Sequence, residues 1–543
     1  MAQKRRPVAL PKNNIPGPIK KQSVANKSKS QNRTDSSRFS LERTGELAGG
    51  WLGWLGPLLA TLLAALLRLP SLGRPHALVF DETYYAKDSL STLYFGTEHA
   101  TIPSPDPSIL ANTGHGHLNI FTDQPAFVVH PPVGKWIIAF GENLFGMTPF
   151  GWRIMICLAG IATVLVTARV TRRLLNSNVA GTLAGLFLAL DGVHIAMSRT
   201  ALLDTILALF VVSAFGVLLI DRDIRDKAVL PKKYGTWARV SLTIVLGLAC
   251  GTKWSGLYYS VAFIALMFWW DMSRRTDYRK GKRFVGALKD NAVALISMPL
   301  GIIALYISSW FGWFASSTGW DSKWSATQPT SSWSFVPSPL RNLWHYHWEM
   351  WNFHTHLNVA HNYRANPWGW PLLLRPTSFF YESKPTCAGA PKVACSQEVI
   401  ALGNPLIWWA GFVAIFALIA LAVRSKHRAA LPIVVAFAAG WLPWLPFAYR
   451  TTFQFYSVVY LPFTIMALVL CLQIIDRKFG FFRITKEFKP VIFNDETQDG
   501  WGLASIGTLF VVGALAFYFW PLYVAESIPY NDWFSLMWFK NWI

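Results

Sequence analysis

Runs of about twenty apolar residues recur along the chain, divided by short loops rich in Lys and Arg. A run of that length crosses the hydrocarbon core of a bilayer as one helix. Inside lipid only a helix or a closed barrel satisfies every backbone polar group, so this pattern limits the fold more than any other feature. The runs read as 51–69, 151–171, 178–197, 202–220, 239–252, 255–270, 290–312, 402–423, 431–448, 458–475 and 501–520. The expected fold is an all-α polytopic membrane protein with about 11 transmembrane helices. Gly251-Thr252-Lys253-Trp254-Ser255-Gly256 puts turn-forming residues and a charge inside 239–270, which predicts a hairpin rather than one long helix.

Charge sets the expected orientation. The tail 1–49 and the loops near 172 and at 221–239, 271–289, 424–428 and 476–489 hold most of the 50 Lys and Arg. These segments are therefore expected in the cytoplasm. The tail is polar and basic, and is expected to be disordered. It is too long for the charged start of a cleaved signal peptide, so the first run reads as a retained anchor. An odd number of spans puts the C-terminus outside the cell membrane. The net charge of +21 sits in these loops and forms no basic stripe with interleaved aromatics. That excludes a nucleic-acid partner. The chain divides into the tail 1–49, a transmembrane module 50–312 with its first outside loop at 71–149, an outside loop 313–400, and a four-helix transmembrane module 401–543.

The first outside loop carries Phe80-Asp81-Glu82 near its start. Two adjacent carboxylates at a bilayer edge are either solvated at a helix start or held for use. The two readings are an ordinary helix N-terminus and a catalytic base at Asp81. Apolar spacing predicts two short interfacial helices in this loop, 81–95 and 131–145, the second led by Pro131-Pro132. In the expected topology Arg68, Asp81, Glu82, Lys135, Arg153, Asp191, Arg199, Asp204, Lys253 and Arg450 all fall at the outer face. Charges of both signs at one face predict a polar cavity opening outward.

The loop 313–400 predicts a surface helix over 338–362 carrying His345, His347, His354, His356 and His361. Without an HExxH pattern, these histidines are expected to bind polar neighbours or sugar hydroxyls, and no metal site is expected. Cys387 and Cys395 share this loop and are expected to form a disulfide if it faces an oxidising compartment. Cys157, Cys250 and Cys471 lie in apolar runs as packing residues.

From Trp51 onward the chain resembles the protein O-mannosyltransferases. The resemblance rests on Asp81-Glu82, His130-Pro131-Pro132-Val133-Gly134-Lys135, Ser198-Arg199-Thr200-Ala201-Leu202-Leu203-Asp204, and Lys253-Trp254-Ser255-Gly256. It continues in Phe353-His354, Leu357, His361-Asn362-Tyr363 and Pro367-Trp368-Gly369-Trp370-Pro371. Asn362 and Ala365 depart from the family pattern, and 313–400 is too short for the β-trefoil of the eukaryotic members. The chain is therefore most similar to the bacterial, actinobacterial-type members of the GT-C glycosyltransferases.

The resemblance implies transfer of mannose, with inversion, from polyprenyl (dolichyl-type) phosphate mannose to Ser or Thr hydroxyls of unfolded secretory proteins. It implies no further cofactor, and a place beside the secretion translocon. Asp81 would be the base and Glu82 would hold the acceptor or pair with Arg153. Arg153, Lys135, Arg199 and Arg450 would bind the donor phosphate. His130, Asp204, Lys253, His354 and His361 complete the expected pocket. The alternatives are a GT-C enzyme for another sugar or acceptor, of the arabinose or aminoarabinose kind, and a polyprenyl-lipid transporter. The transporter reading is disfavoured because no inverted repeat is evident.

Overall fold

The computed structural model describes residues 51–227, 232–276, 280–330, 332–387, 393–425, 427–484, 490–493 and 500–543. The tail 1–49 lies outside them. Helices occupy every predicted apolar run. They are Leu52–Arg68, Pro149–Leu175, Asn178–Leu190 with Gly192–Ser198, Leu203–Lys227, Lys232–Thr252, Gly256–Ser273, Lys280–Ser308, Pro405–Arg424, Ala430–Trp441, Leu461–Phe479 and Leu503–Tyr518. Five helices among the described residues are long and apolar enough by themselves to cross a membrane. Large apolar side chains point outward from several of them, including Leu59, Leu62, Val293, Ile296, Val413 and Phe510. Such a surface suits lipid and not water. The chain is a multi-pass membrane protein.

Three departures from the sequence reading have local causes. The run 178–197 is two helices bent by 65° at a break rather than one continuous helix. Asp191 sits at the break with extended backbone, and its carboxylate accepts from the His194 amide, starting the second helix. Gly192 allows the close approach there, because a Cβ would lie 2.2 Å from both the Leu402 carbonyl oxygen and the Tyr523 ring. The run 431–448 finishes as the 3-10 segment Leu442–Phe447, where Pro443 and Pro446 remove α-helical donors. The surface helix is shorter than expected, Ser338–His356.

The all-α expectation also missed three small antiparallel sheets. In the loop 313–400, Thr377–Lys384 pairs with Cys395–Ala401, which in turn pairs with Ser527–Pro529. A disulfide joins Cys387 to Cys395 across the turn of that hairpin, with the Cα atoms 5.1 Å apart. His99–Thr101 pairs with Phe121–Pro125 in the loop 71–149. The third sheet lies at the opposite, basic end, after Leu461–Phe479. At that end Arg239 pairs with Asp221 and Asp271, and Arg274 with Asp226 and Asp271.

The interfacial helices form where the apolar spacing put them, at Glu82–Phe95 and Val133–Phe145. They pack on each other, and Val133–Phe145 packs on Pro149–Leu175. Together with the turn at Lys253 and the helix Ser338–His356 they wall a cleft at one end of the bundle.

Candidate active site

The backbone before the site is strained. Phe80 has φ 49°, a left-handed conformation that costs a bulky residue free energy. Its ring packs against His361, Phe379, Phe453 and Phe455 at centroid distances of 5.2–5.8 Å. That aromatic cage holds the turn, and the turn aims the next two side chains apart.

Glu82 points into the protein and is fully buried. Arg153 grips it in a two-pronged pair, Nε to Oε1 and Nη2 to Oε2, both at 2.8 Å. The amides of Ala201 and Val79 donate to the same carboxylate at 2.8 and 3.0 Å. Arg153 spends its remaining donors on the carbonyls of Leu72, Pro75 and Ala77. Arg199 is likewise spent on the carbonyls of Arg68, Pro70 and Ser71. Of the two roles expected for Glu82, the pair with Arg153 is the one that forms, while Arg153 and Arg199, expected at the phosphate, stand away from the cleft. These hydrogen bonds tie residues 68–82 to the helix Pro149–Leu175 and to the segment 199–201, and none of the three lines the cleft. Arg68 and Asp191 are structural too. Arg68 donates to the Ala189 and Leu188 carbonyls, and Asp191 accepts from the Asn404 amide and Trp408 Nε1.

Asp81 points the other way. It precedes the helix Glu82–Phe95 yet makes no side-chain capping bond. Among the described residues its carboxylate has no hydrogen-bond partner, and it opens on the cleft. Burial pushes its pKa up to about 6; Lys253 opposes that rise and Asp204 adds to it. A carboxyl tuned to that range is a competent base near neutral pH.

The cleft has a volume of about 710 Å³ and gathers Asp81, His130, Lys135, Lys253, His354 and Arg450 from the expected set. Lys253 is held by Asp204, at 2.9 and 3.0 Å, and lies 4.2 Å from the centre of the Tyr456 ring. Asp204 thus stands behind the cleft wall and positions a cation. Arg450 lies over Trp444 at 5.8 Å, and its buried Nε has no hydrogen-bond partner among the described residues. Lys135 ion-pairs with Glu98. His354 Nε2 bonds to the Val129 carbonyl oxygen at 2.8 Å, and burial pushes its pKa down to about 4. His130 is also held well below the ordinary range, first by burial and then by Lys253. Both imidazoles are neutral at pH 7.

His361 is elsewhere, in a separate open groove with Phe80, Tyr363 and Phe379. No group of three or more His, Cys, Asp or Glu residues able to hold a metal occurs among the described residues. Sequence reasoning missed Asp88, Tyr85 and Tyr456 as lining residues. The 3.6-residue period offered a signal for the first two, because 81, 85 and 88 fall on one helix face.

The arrangement offers a base, a guanidinium whose Nε is unpaired among the described residues, and a held ammonium in one apolar-walled cleft. That suits displacement of an anionic leaving group by a weak nucleophile. Comparisons with known proteins agree. The family model for dolichyl-phosphate-mannose-protein mannosyltransferase matches residues 58–308, and that for the C-terminal four TMM region of protein-O-mannosyltransferase matches 339–542. The polyprenol-phosphate-mannose–protein mannosyltransferase of Mycobacterium tuberculosis is 35% identical over 446 residues, covering 77% of this chain and 81% of the relative. Its counterpart in Corynebacterium glutamicum is 31% identical over 487 residues, covering 86% and 88%. The solved S. cerevisiae protein O-mannosyltransferase Pmt1-Pmt2 complex bound to the sugar donor aligns with a TM-score of 0.66. That alignment covers 92% of this chain and 93% of that one at 14% identity, which is a likeness of fold.

Proposed function

The chain belongs to the dolichyl-phosphate-mannose–protein mannosyltransferase family and has the GT-C fold, and from that premise we propose its reaction and the role of Asp81. The enzyme transfers mannose from polyprenyl phosphate mannose to a Ser or Thr hydroxyl of an exported protein. As the hydroxyl oxygen bonds to C1 of a β-linked donor, the C1–O bond to phosphate breaks. The hydroxyl proton passes to the Asp81 carboxylate, and polyprenyl phosphate leaves as an anion. One displacement inverts the anomeric centre and yields an α-mannoside, by the logic of inverting glycosidases with a protein hydroxyl in place of water.

A phosphate leaving group needs positive charge rather than an acid. Arg450 and Lys253 supply it, Arg450 through donors suited to two-pronged phosphate binding. With two cations at the phosphate, the reaction as proposed requires no metal and no cofactor besides the lipid-linked sugar. Asp81 and Lys253 come from the module 50–312 and Arg450 from the module 401–543, so both modules build one site. The cytoplasmic N-terminus and extracytoplasmic C-terminus expected from charge place this cleft on the outer side of the membrane.

The observation that carries the reading is the Asp81 carboxylate, uncapped and unpartnered in the cleft that Lys253 and Arg450 also line. The test is transfer of radiolabelled mannose from polyprenyl phosphate mannose to a Ser/Thr peptide in purified membranes. Asp81→Asn should retain donor binding and lose about two orders of magnitude or more in transfer. Near-normal turnover in that variant would remove Asp81 from the role.

A further inference from the structure

The cleft contains a second carboxyl group, one that the transfer step does not use. Asp88 lines it two turns along the same helix from Asp81, with Tyr85 between them on one face. Seven residues of helix separate the two Cα atoms by about 10.5 Å. The cations near Asp88 are already engaged: Lys87 bonds to Asp106 at 2.9 Å, and Lys135 pairs with Glu98. Among the described residues no donor reaches the Asp88 carboxylate, which opens on the cleft beside the Lys135 ammonium.

We propose that Asp88 is the sugar-recognition residue of this cleft, accepting hydrogen bonds from the donor hydroxyls on the far side of the pyranose ring from C1. The inference rests on the transfer reading above. With the attacking hydroxyl at Asp81 and C1 next to it, the 3- and 4-hydroxyls lie toward the other end of the helix face. The acceptor oxygen and the pyranose together span the separation of the two carboxylates, the acceptor hydroxyl bonding to Asp81 and the sugar hydroxyls to Asp88. The Tyr85 ring, between them, lies beneath the sugar. Burial raises the Asp88 pKa to about 7, and in its ionised form the group is acceptor-only and suits a pair of neighbouring hydroxyls. Asp88 thus selects the sugar end of the donor, and Arg450 takes the anionic end.

The test uses the full-length enzyme and three polyprenyl phosphate donors whose mannose lacks the 2-, 3- or 4-hydroxyl. In the wild type, loss of the 3- or 4-hydroxyl should lower kcat/KM by about 30-fold or more. In Asp88→Ala the same deletions should cost less than about threefold, since the partner is already gone. Loss of the 2-hydroxyl, next to C1, should cost the same in both proteins. A wild type that uses the 3- and 4-deoxy donors as well as mannose would overturn the assignment without any variant. So would an Asp88→Ala enzyme that discriminates as the wild type does. Failure of the transfer reading shows separately, as a wild type that labels no Ser/Thr peptide from the mannosyl donor.

Discussion

Asp81 and Glu82 are neighbours in sequence with opposite fates. About 100° of helix rotation separates them, and the Phe80 turn sends one to the cleft and the other to Arg153. The pair is legible in the sequence as charge at a membrane edge. Which member is free is not, because that depends on Arg153 and the Ala201 amide arriving from distant segments. For the same reason the sequence offers Arg153 as a phosphate ligand, whereas in the structure its donors are all engaged. Two outcomes follow at this scale. Lys253 lowers the Asp81 pKa against the upward push of burial. Transfer by the wild type should rise as pH passes through about 6, where Asp81 ionises. Lys253→Met should move that acid limb to higher pH, read from a kcat/KM–pH profile. Arg153→Met leaves a buried, uncompensated carboxylate and should cost about 3–5 kcal/mol of stability, read as a lowered thermal midpoint in detergent.

Among the elements, those with long periodic apolar patterns were legible: every predicted run is helical, as are both interfacial segments. The hairpin at Lys253 also forms, since the helix Lys232–Thr252 stops there and Gly256–Ser273 begins after it. The break at Asp191 was not legible. A hydropathy window averages one polar residue into its apolar neighbours, while the break depends on Asn404 and Trp408 meeting its carboxylate. The short strands escaped for a related reason, because each is defined by its partner rather than by its own pattern. Asp191→Ala should therefore remove a cap and strand the buried donors of Asn404 and Trp408. The expected cost is about 3 kcal/mol. The thermal midpoint should fall and the acid limb at Asp81 should stay in place.

For the whole molecule, one end is walled by ion pairs among Arg239, Asp221, Asp271 and Arg274, and the other holds the cleft. Basic loops at the first end and the disulfide hairpin at the second agree with the proposed orientation. Single cysteines test it in intact cells. A membrane-impermeant maleimide should label Ser383→Cys in the hairpin and should leave Ser273→Cys unlabelled until the cells are opened. The reverse pattern would put the cleft in the cytosol.

The caged ring of Phe80 ties these levels together. The carboxylate assigned to proton removal comes from the first fifth of the chain, but its posture is dictated by Phe379, Phe453 and Phe455, translated hundreds of residues later. A nascent chain that has made only its opening helices already contains the reactive group and still cannot aim it. Competence would then arrive late in biosynthesis, when the closing segments dock, and an unfinished enzyme would stay silent in the membrane.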